Sequence, residues 1–489
     1  MAAAGTSARG GCRRWLPVLA GLILLAGCPA RAELPPGVAL ALSQAGIPDS
    51  HVGIVVQAID APVPLLAHGE QRSFNPASVM KLVTTLAALD TLGPAHVFKT
   101  RVGIEGELRD GVLVGDLVLQ GGGDPGLTQE RLWLLLREIR ARGIREIRGD
   151  VILDNGFYDL GTIDPAAFDQ SPLRPYNAPP AALLANFNTL NLRLDVLGDT
   201  VRARLDADDA LRLDNRLVLA DGACNGWREQ LSIGLEDGRL VLAGRYPREC
   251  TLQVHPLSLL TPEATLAVLF RAVWKELGGL HSGRVRSCAP GPAVRPLLEF
   301  DSPPLAELVR DVNKFSNNVM AKMLFLNLGA QRFGAPATWE KGARAVREWL
   351  TEKGLHSEEI VLENGSGLSR IERISASTLA RLLAYAASQP AYYEFAASLP
   401  AVGLEGTQKA RPPDAPGAGR AWLKTGSLNG ARNLAGYVLG RDGQRRILVM
   451  LVNHGNAGQA AKAQDALLSW GMGQPAQAPG GAPKAVFGH

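Results

Sequence analysis

No other segment limits this 489-residue chain as much as Asn75-Pro76-Ala77-Ser78-Val79-Met80-Lys81. Asn75 suits a helix N-cap, and Pro76 suits the first helical position, where a missing N–H is harmless. The pattern predicts a helix over 76–92, stopped by Gly93-Pro94. Ser78 is the one serine in the sequence with a lysine three residues on. At i and i+3 the two side chains share a helix face, with Cβ atoms about 5–6 Å apart. The amine can then take the hydroxyl proton directly, provided it is neutral. Its ordinary pKa of about 10.4 must therefore fall, through burial or a neighbouring cation. In a first turn the helix dipole also favours a developing negative charge on Ser78. Taken alone, such a pair is more often an ordinary helix surface than a catalytic one.

Two further motifs lie far downstream. Ser316-Asn317-Asn318 sits between helical patterns over 305–315 and 319–328. Ser73-Phe74-Asn75 and Ser427-Leu428-Asn429 share the Ser-x-Asn form, so context rather than the pattern selects Ser316. Lys424-Thr425-Gly426 is the one Lys-Thr-Gly present, and it opens a strand-rich segment with apolar runs at 433–439 and 446–452. A cation beside a hydroxyl on a strand suits a terminal carboxylate, and the glycine admits close backbone approach.

In that order, Ser-x-x-Lys, Ser-x-Asn and Lys-Thr-Gly resemble the penicillin-binding protein and serine β-lactamase superfamily. Within it the chain resembles the D-alanyl-D-alanine carboxypeptidase/endopeptidase family, the class C low-molecular-mass penicillin-binding proteins. Some 237 residues separate Ser78 from Ser316, which looks like that family's large insertion. Gly121-Gly-Gly-Asp-Pro-Gly126, Asn364-Gly-Ser-Gly-Leu-Ser369 and Gly403-Leu-Glu-Gly-Thr407 look like its recurring phrases. The resemblance spans residues 34–471.

The resemblance implies an α/β (α+β) fold, in which an antiparallel sheet flanked by helices is built from 33–96 and 295–474. Residues 97–294 would form one or two strand-rich insertion domains. Composition alone supports only a mixed, multi-domain chain. The resemblance further implies that Ser78 attacks the penultimate D-alanine carbonyl of a peptidoglycan stem peptide or cross-link, forming an acyl-enzyme that penicillin also forms. Lys81 would be the base, Ser316 would relay a proton to the leaving amine, and Asn318 would hold the substrate amide. Lys424 would supply a positive field and Thr425 would bond the terminal carboxylate, with Gly426 admitting close backbone approach, and the N–H groups of Ser78 and Ser427 would form the oxyanion hole. In the resembling family an acid beside the serine pairs with the free amine of the peptide's diamino acid. Asp154, at the end of a strand-like run, is the candidate, with Asp150 and Asp159 close enough to serve instead. No cofactor or metal is implied, and no His-Glu-x-x-His or Cys-x-x-Cys occurs. Two rivals stand beside this reading. A serine β-lactamase or esterase on the same scaffold is opposed by the insertion and the lack of an obvious deacylating glutamate. A non-catalytic wall-binding scaffold is opposed by intact Ser78, Lys81 and Lys424.

Charge and targeting agree with a wall enzyme. The four arginines within residues 1–32 account for the whole formal charge of +4, leaving 47 basic and 47 acidic residues. A neutral chain without a basic run lacks the footprint of a nucleic-acid binder. Arg9, Arg13 and Arg14 precede an apolar run from Trp15 to Ala26, the pattern of an export signal and too short to span a bilayer comfortably. Cleavage after Ala30-Arg31-Ala32 would give a soluble periplasmic protein beginning at Glu33. Leu25-Ala26-Gly27-Cys28 instead resembles a lipoprotein box, with Cys28 lipidated. No later stretch predicts an integral membrane span, and the oligomeric state is left open. Of the cysteines beyond the signal, Cys224 and Cys250 form the favoured disulfide pair, with three buried thiols the alternative.

Three features carry other readings. Gly121–Gly126 fits Gly-x-Gly-x-x-Gly, but an acid inside the turn and its place deep in the chain favour a tight turn over a dinucleotide site. Asp206-Ala-Asp208-Asp209 lacks the glycine and glutamate of a calcium loop and reads as a solvated face. Residues 475–489, rich in Gly, Pro and Ala, read as a disordered tail.

Overall fold

The structure, a computed structural model, describes residues 33–207 and 211–474. The export segment and the tail lie outside the described residues, as do Asp208 and Asp209. Asp206 is tied to Arg193 at 2.6 Å.

The strand Val52–Ala58 has almost no polar residue because both of its faces are buried. It lies between Arg445–Val452 and Leu66–His68 in a five-stranded antiparallel sheet, which continues through Ala431–Leu439 to the edge strand Ala421–Leu428. Alternation sorts the side chains. Val55, Ile447, Val449 and Leu451 pack with Val83, Leu86, Leu308 and Leu379 from helices Lys81–Leu92, Leu305–Lys314 and Ala376–Ala387. Ile54, Val56, Leu448 and Met450 face Val38, Leu42, Leu467 and Leu468 of helices Pro36–Gln44 and Ala461–Gly473.

The chain departs from this body at Phe98 and returns at Ser302, where Ser302 N–H donates to Phe98 O and Phe98 N–H to Ser302 Oγ. Between them lies a seven-stranded sheet, whose strand Arg295–Asp301 pairs with Lys99–Arg109. The excursion therefore runs to Asp301, past the expected end at 294, because that last strand completes its sheet. Two three-stranded sheets share its hydrophobic core. Helix Gln129–Ala141 buries Leu132, Leu135, Leu136 and Ile139, an i, i+3, i+4, i+7 stripe, beside Leu266, Leu269 and Phe270 of Pro262–Glu276. Cys224 and Cys250 are disulfide-bonded, and Cys288 is free.

Gly121–Gly126 is a close-packed turn. A Cβ on Gly121 would meet the Ala182 backbone at 2.3 Å, and one on Gly123 would meet Asn327 Oδ1 at 2.2 Å. This turn and Tyr158, Ala178 and Leu184 seat the excursion on Val319, Met323 and Leu326 of helix Asn318–Phe333. The docking carries residues 169–177 to the catalytic side of the body.

Among the described residues, no helix is long and apolar enough to cross a membrane.

Candidate active site

The helix predicted over 76–92 is in fact two elements. A 3₁₀ turn, Ala77–Met80, precedes the α-helix Lys81–Leu92, and Ala77 has φ 47°. Asn75 Oδ1 accepts from Ala77 N–H at 2.9 Å, so its predicted capping contact exists, but it caps the tight turn. The turn is pressed from both sides by residues without side chains. A Cβ on Gly367 would lie 1.9 Å from Ala77 O, and one on Gly426 would lie 2.5 Å from Pro76 O and 3.1 Å from Ser78 N. This packing holds Ser78 away from regular α-helix.

Lys81 is fully buried. Its Nζ donates to Ser78 Oγ at 2.9 Å, to Asn318 Oδ1 at 2.6 Å and to the carbonyl of Ser366. Burial holds its pKa well below the ordinary lysine range, and the Lys424 and Lys322 cations add to the shift, while Glu372 opposes it. Once neutral, the amine keeps two N–H donors for Asn318 Oδ1 and Ser366 O and turns its lone pair to the Ser78 hydroxyl, from which it can accept a proton.

The opposite wall comes from two distant segments. Ser316, in the left-handed region at φ 57°, sits at the junction of helices Leu305–Lys314 and Asn318–Phe333. For a residue with a side chain such a φ costs on the order of 1 kcal/mol or more, held here by the two helices. Its Oγ accepts from Lys424 Nζ at 2.9 Å, and Lys424 also donates to Thr425 O at 2.8 Å. Burial lowers the Lys424 pKa to about 7.

Thr425 Oγ donates to Thr407 Oγ at 2.9 Å, at the end of the Gly403–Thr407 phrase. That phrase is pinned by an ion pair between Glu405 and Lys314. Leu423 N–H, on the outer side of the edge strand, donates to Pro400 O at 3.0 Å. By alternation the N–H groups of Thr425 and Ser427 face the same open side. Ser427 itself is exposed.

The structure thus brings Ser78, Lys81 and Asn318 together on one wall, and Ser316, Lys424, Thr425, Gly426 and Ser427 on the other. Asn318 Nδ2 already donates to Tyr176 O at 3.1 Å, which ties the excursion to the site. Asp154 is half-buried, with Oδ2 accepting from Gln120 Nε2 and Oδ1 from Gly156 N–H, both at 2.9 Å. No hydrogen bond joins it to the serines or lysines of the two walls among the described residues. Asp150 is held by Arg286 at 2.7 Å, and Asp159 is exposed.

Sequence reasoning missed Lys322 and Glu372, and it marked Ser366 only as part of the Asn364–Ser369 phrase, with no role. Lys322 left a trace, a cation one turn after Asn318 in an otherwise apolar run. Glu372 left none.

The profile of the D-Ala-D-Ala carboxypeptidase 3 (S13) family matches residues 36–471. The chain belongs to the S13 family. It is similar to known proteins over most of its length. It is 31% identical over 495 aligned residues to a D-alanyl-D-alanine carboxypeptidase of Actinomadura sp. strain R39, covering 94% of this chain and 91% of that one. It is 25% identical to the D-alanyl-D-alanine carboxypeptidase DacB of Haemophilus influenzae, covering 83% and 85%. In three dimensions it is similar to the crystal structure of penicillin binding protein 4 (dacB) from Haemophilus influenzae. That match has a TM-score of 0.74 at 25% identity, covering 88% of this chain and 99% of the other. This S13 protein is therefore a serine hydrolase of the penicillin-binding type, a D-Ala-D-Ala carboxypeptidase by family, with the fold expected from its motifs.

Proposed function

We propose that this S13 enzyme cleaves the D-alanyl-D-alanine terminus of peptidoglycan stem peptides, and the equivalent bond of cross-links, through an acyl-enzyme on Ser78. The observation that carries the assignment is the 2.9 Å contact between Ser78 Oγ and the buried Nζ of Lys81. Neutral Lys81 takes the Ser78 proton as Oγ attacks the penultimate D-alanine carbonyl. The N–H groups of Ser78 and Ser427 receive the oxyanion, each donor contributing roughly 3–4 kcal/mol. The C–N bond then breaks, and the proton passes through Ser316 to the leaving amine. Water hydrolyses the ester and restores Ser78.

Lys424 and Thr425 receive the carboxylate of the departing residue, while the outer edge of strand Ala421–Leu428 beyond Leu423, where Pro400–Val402 no longer cover it, receives the peptide backbone as an added strand. Asn318 has a second amide proton beyond the one on Tyr176 O, and offers it to the substrate carbonyl. A free D-alanine and a cross-linked amine differ only in the group attached beyond the leaving nitrogen, so one mechanism serves both reactions. Asp154, whose carboxylate accepts from Gln120 and Gly156, pairs with the diamino acid's free amine. Residues 1–32 deliver the protein to the periplasm, with Glu33 as the mature start.

Labelling with a fluorescent penicillin tests the assignment. Peptide mapping of the inhibited protein finds the added mass on Ser78, and an adduct on Ser316 or Ser366 overturns it. Slow loss of the label is expected, and rapid turnover instead identifies a β-lactamase. Asp154→Ala should slow cleavage of amine-bearing muropeptides by roughly 2–5 kcal/mol while penicillin acylation stays level. Equal loss toward both substrates removes Asp154 from the site. Metabolic labelling with a radioactive fatty acid should fail, and label that is lost on Cys28→Ser identifies a lipoprotein instead.

A further inference from the structure

Three lysines converge beneath the cleft from three separate elements. Lys81 opens helix Lys81–Leu92, Lys322 lies one turn into Asn318–Phe333, and Lys424 stands on the strand Ala421–Leu428. They are 0%, 8% and 0% exposed. Among the described residues no hydrogen bond or ion pair holds Lys322, and burial lowers its pKa to about 8. Such a group acts on its neighbours through charge alone, and it presses Lys81 in the same direction as Lys424 does.

One buried carboxylate answers them. Glu372 is fully buried and acts electrostatically on both Lys81 and Lys322. The other nearby acid, Glu363, is exposed and acts on Lys322 and on Glu372 itself. Glu372 Oε1 accepts the N–H groups of Glu363 at 3.2 Å, Asn364 at 3.0 Å and Gly365 at 2.8 Å. Its Oε2 accepts Gly367 N–H at 3.0 Å. Both oxygens are used as acceptors, as suits the ionised form; a protonated acid would turn a donor on one of these N–H groups. Burial raises the Glu372 pKa above the ordinary carboxylate range, against the opposing N–H groups of Asn364, Gly365 and Glu363.

The loop bound in this way makes three contacts with the Ser78 turn and the helix that follows it. Gly365 O accepts from Thr84 Oγ at 2.6 Å, Ser366 O accepts from Lys81 Nζ, and Gly367 lies against Ala77 O. Removing Glu372 therefore has two separable consequences. The loop that supplies one of Lys81's three acceptors loses its anchor, and the lysine cluster loses its buried negative charge.

We propose that Glu372 is a positioning residue for acyl transfer: it fixes the 363–367 loop on Lys81 and balances, in opposition to Lys322, the charge that Lys81 experiences. The proposal rests on Lys81 being the base. Because Glu372 favours the charged form of Lys81, its loss makes the base neutral at lower pH. Lys322 disfavours that form, so its loss does the reverse.

The test measures the rate of acylation by a fluorescent penicillin from acid to alkaline pH, with circular dichroism to verify folding. In E372Q the rising limb should move to lower pH by about half to one unit, with a reduced plateau. In K322M it should move to higher pH by a similar amount. Glu372→Asp keeps the charge but shortens its reach, so it should lower the plateau and leave the limb near the wild-type position. A merely structural Glu372 would lower the plateau or the stability in all its variants without moving the limb, and an unmoved limb in folded E372Q overturns the proposal. If E372Q does not fold, K322M decides: an upward shift supports the balance, and no shift overturns it. Lys81→Arg separates this result from the underlying reading. Acylation retained in folded Lys81→Arg removes Lys81 as base, whereas acylation lost there with unmoved limbs in the other variants rejects the role of Glu372 alone.

Discussion

The two walls of the cleft each present a serine on a buried lysine at 2.9 Å, yet they are built differently. Ser78 and Lys81 share one tight turn, so a local sequence pattern suffices to join them. Ser316 and Lys424 are 108 residues apart and meet only when an inter-helix corner packs on the edge strand. Their electrostatics differ as well. Lys81 is lowered by burial and by two neighbouring cations, whereas burial alone lowers Lys424 to about 7. The first amine suits a base that is neutral before substrate arrives. The second lies near its midpoint at neutral pH, and an incoming carboxylate favours its charged form. The same kind of residue pair is thus suited to proton abstraction on one wall and, in the proposed mechanism, to anion recognition on the other.

The largest effect that separates the walls should come from Lys81→Arg. A guanidinium stays protonated across the working range, so penicillin acylation should fall by about a thousandfold or more while circular dichroism stays native. Substantial labelling of the folded variant would mean that the two walls do not divide the work in this way.

Lys424→Arg sharpens the comparison further. In the proposed mechanism Lys424 serves as a cation, and its positive charge is lost as pH rises through about 7 in the free enzyme. Acylation by a carboxylate-bearing β-lactam should therefore fall on the alkaline side. Arginine keeps its charge there, so the variant should lose that alkaline limb, with a plateau roughly tenfold lower because the planar fork does not match an ammonium. An alkaline limb that persists in Lys424→Arg belongs to another group.

The smallest effect on catalysis should come from the paired change Cys224→Ser and Cys250→Ser. The disulfide joins segments of the excursion, remote from both walls in the hydrogen-bond network. Its loss should lower stability to thermal unfolding by about 2–4 kcal/mol and leave the acylation rate of the folded enzyme unchanged. A matching loss of acylation would show that the excursion supports the walls as well as its own core.

Legibility in the sequence divides along the same line. The apolar runs at 433–439 and 446–452 and the Ser78–Lys81 pair are local patterns, and all three are present as strands Ala431–Leu439 and Arg445–Val452 and the 2.9 Å contact. The break at Ala77 is hidden because its cause lies in Gly367 and Gly426, hundreds of residues away in the chain. The excursion returns at Ser302, later than local patterns suggest, since the pairing of Arg295–Asp301 with Lys99–Arg109 has no local signature. Glu372 is invisible for a similar reason. Its meaning lies in four backbone N–H groups and two buried lysines, none of which marks it in the sequence.

The central place of Val52–Ala58 in the catalytic sheet sets an order of assembly. This strand is made early in synthesis, yet one of its two neighbours, Arg445–Val452, is among the last segments made. Until that neighbour is available, the strand has a bare hydrogen-bonding edge and two apolar faces, a form prone to mispairing. The excursion can gather its own core meanwhile, because its sheets close within it. Competence for acylation therefore comes last, when the two ends of the polypeptide meet. A growing or truncated chain that stops before residue 445 carries Ser78 and Lys81 without the sheet on which helix Lys81–Leu92 packs.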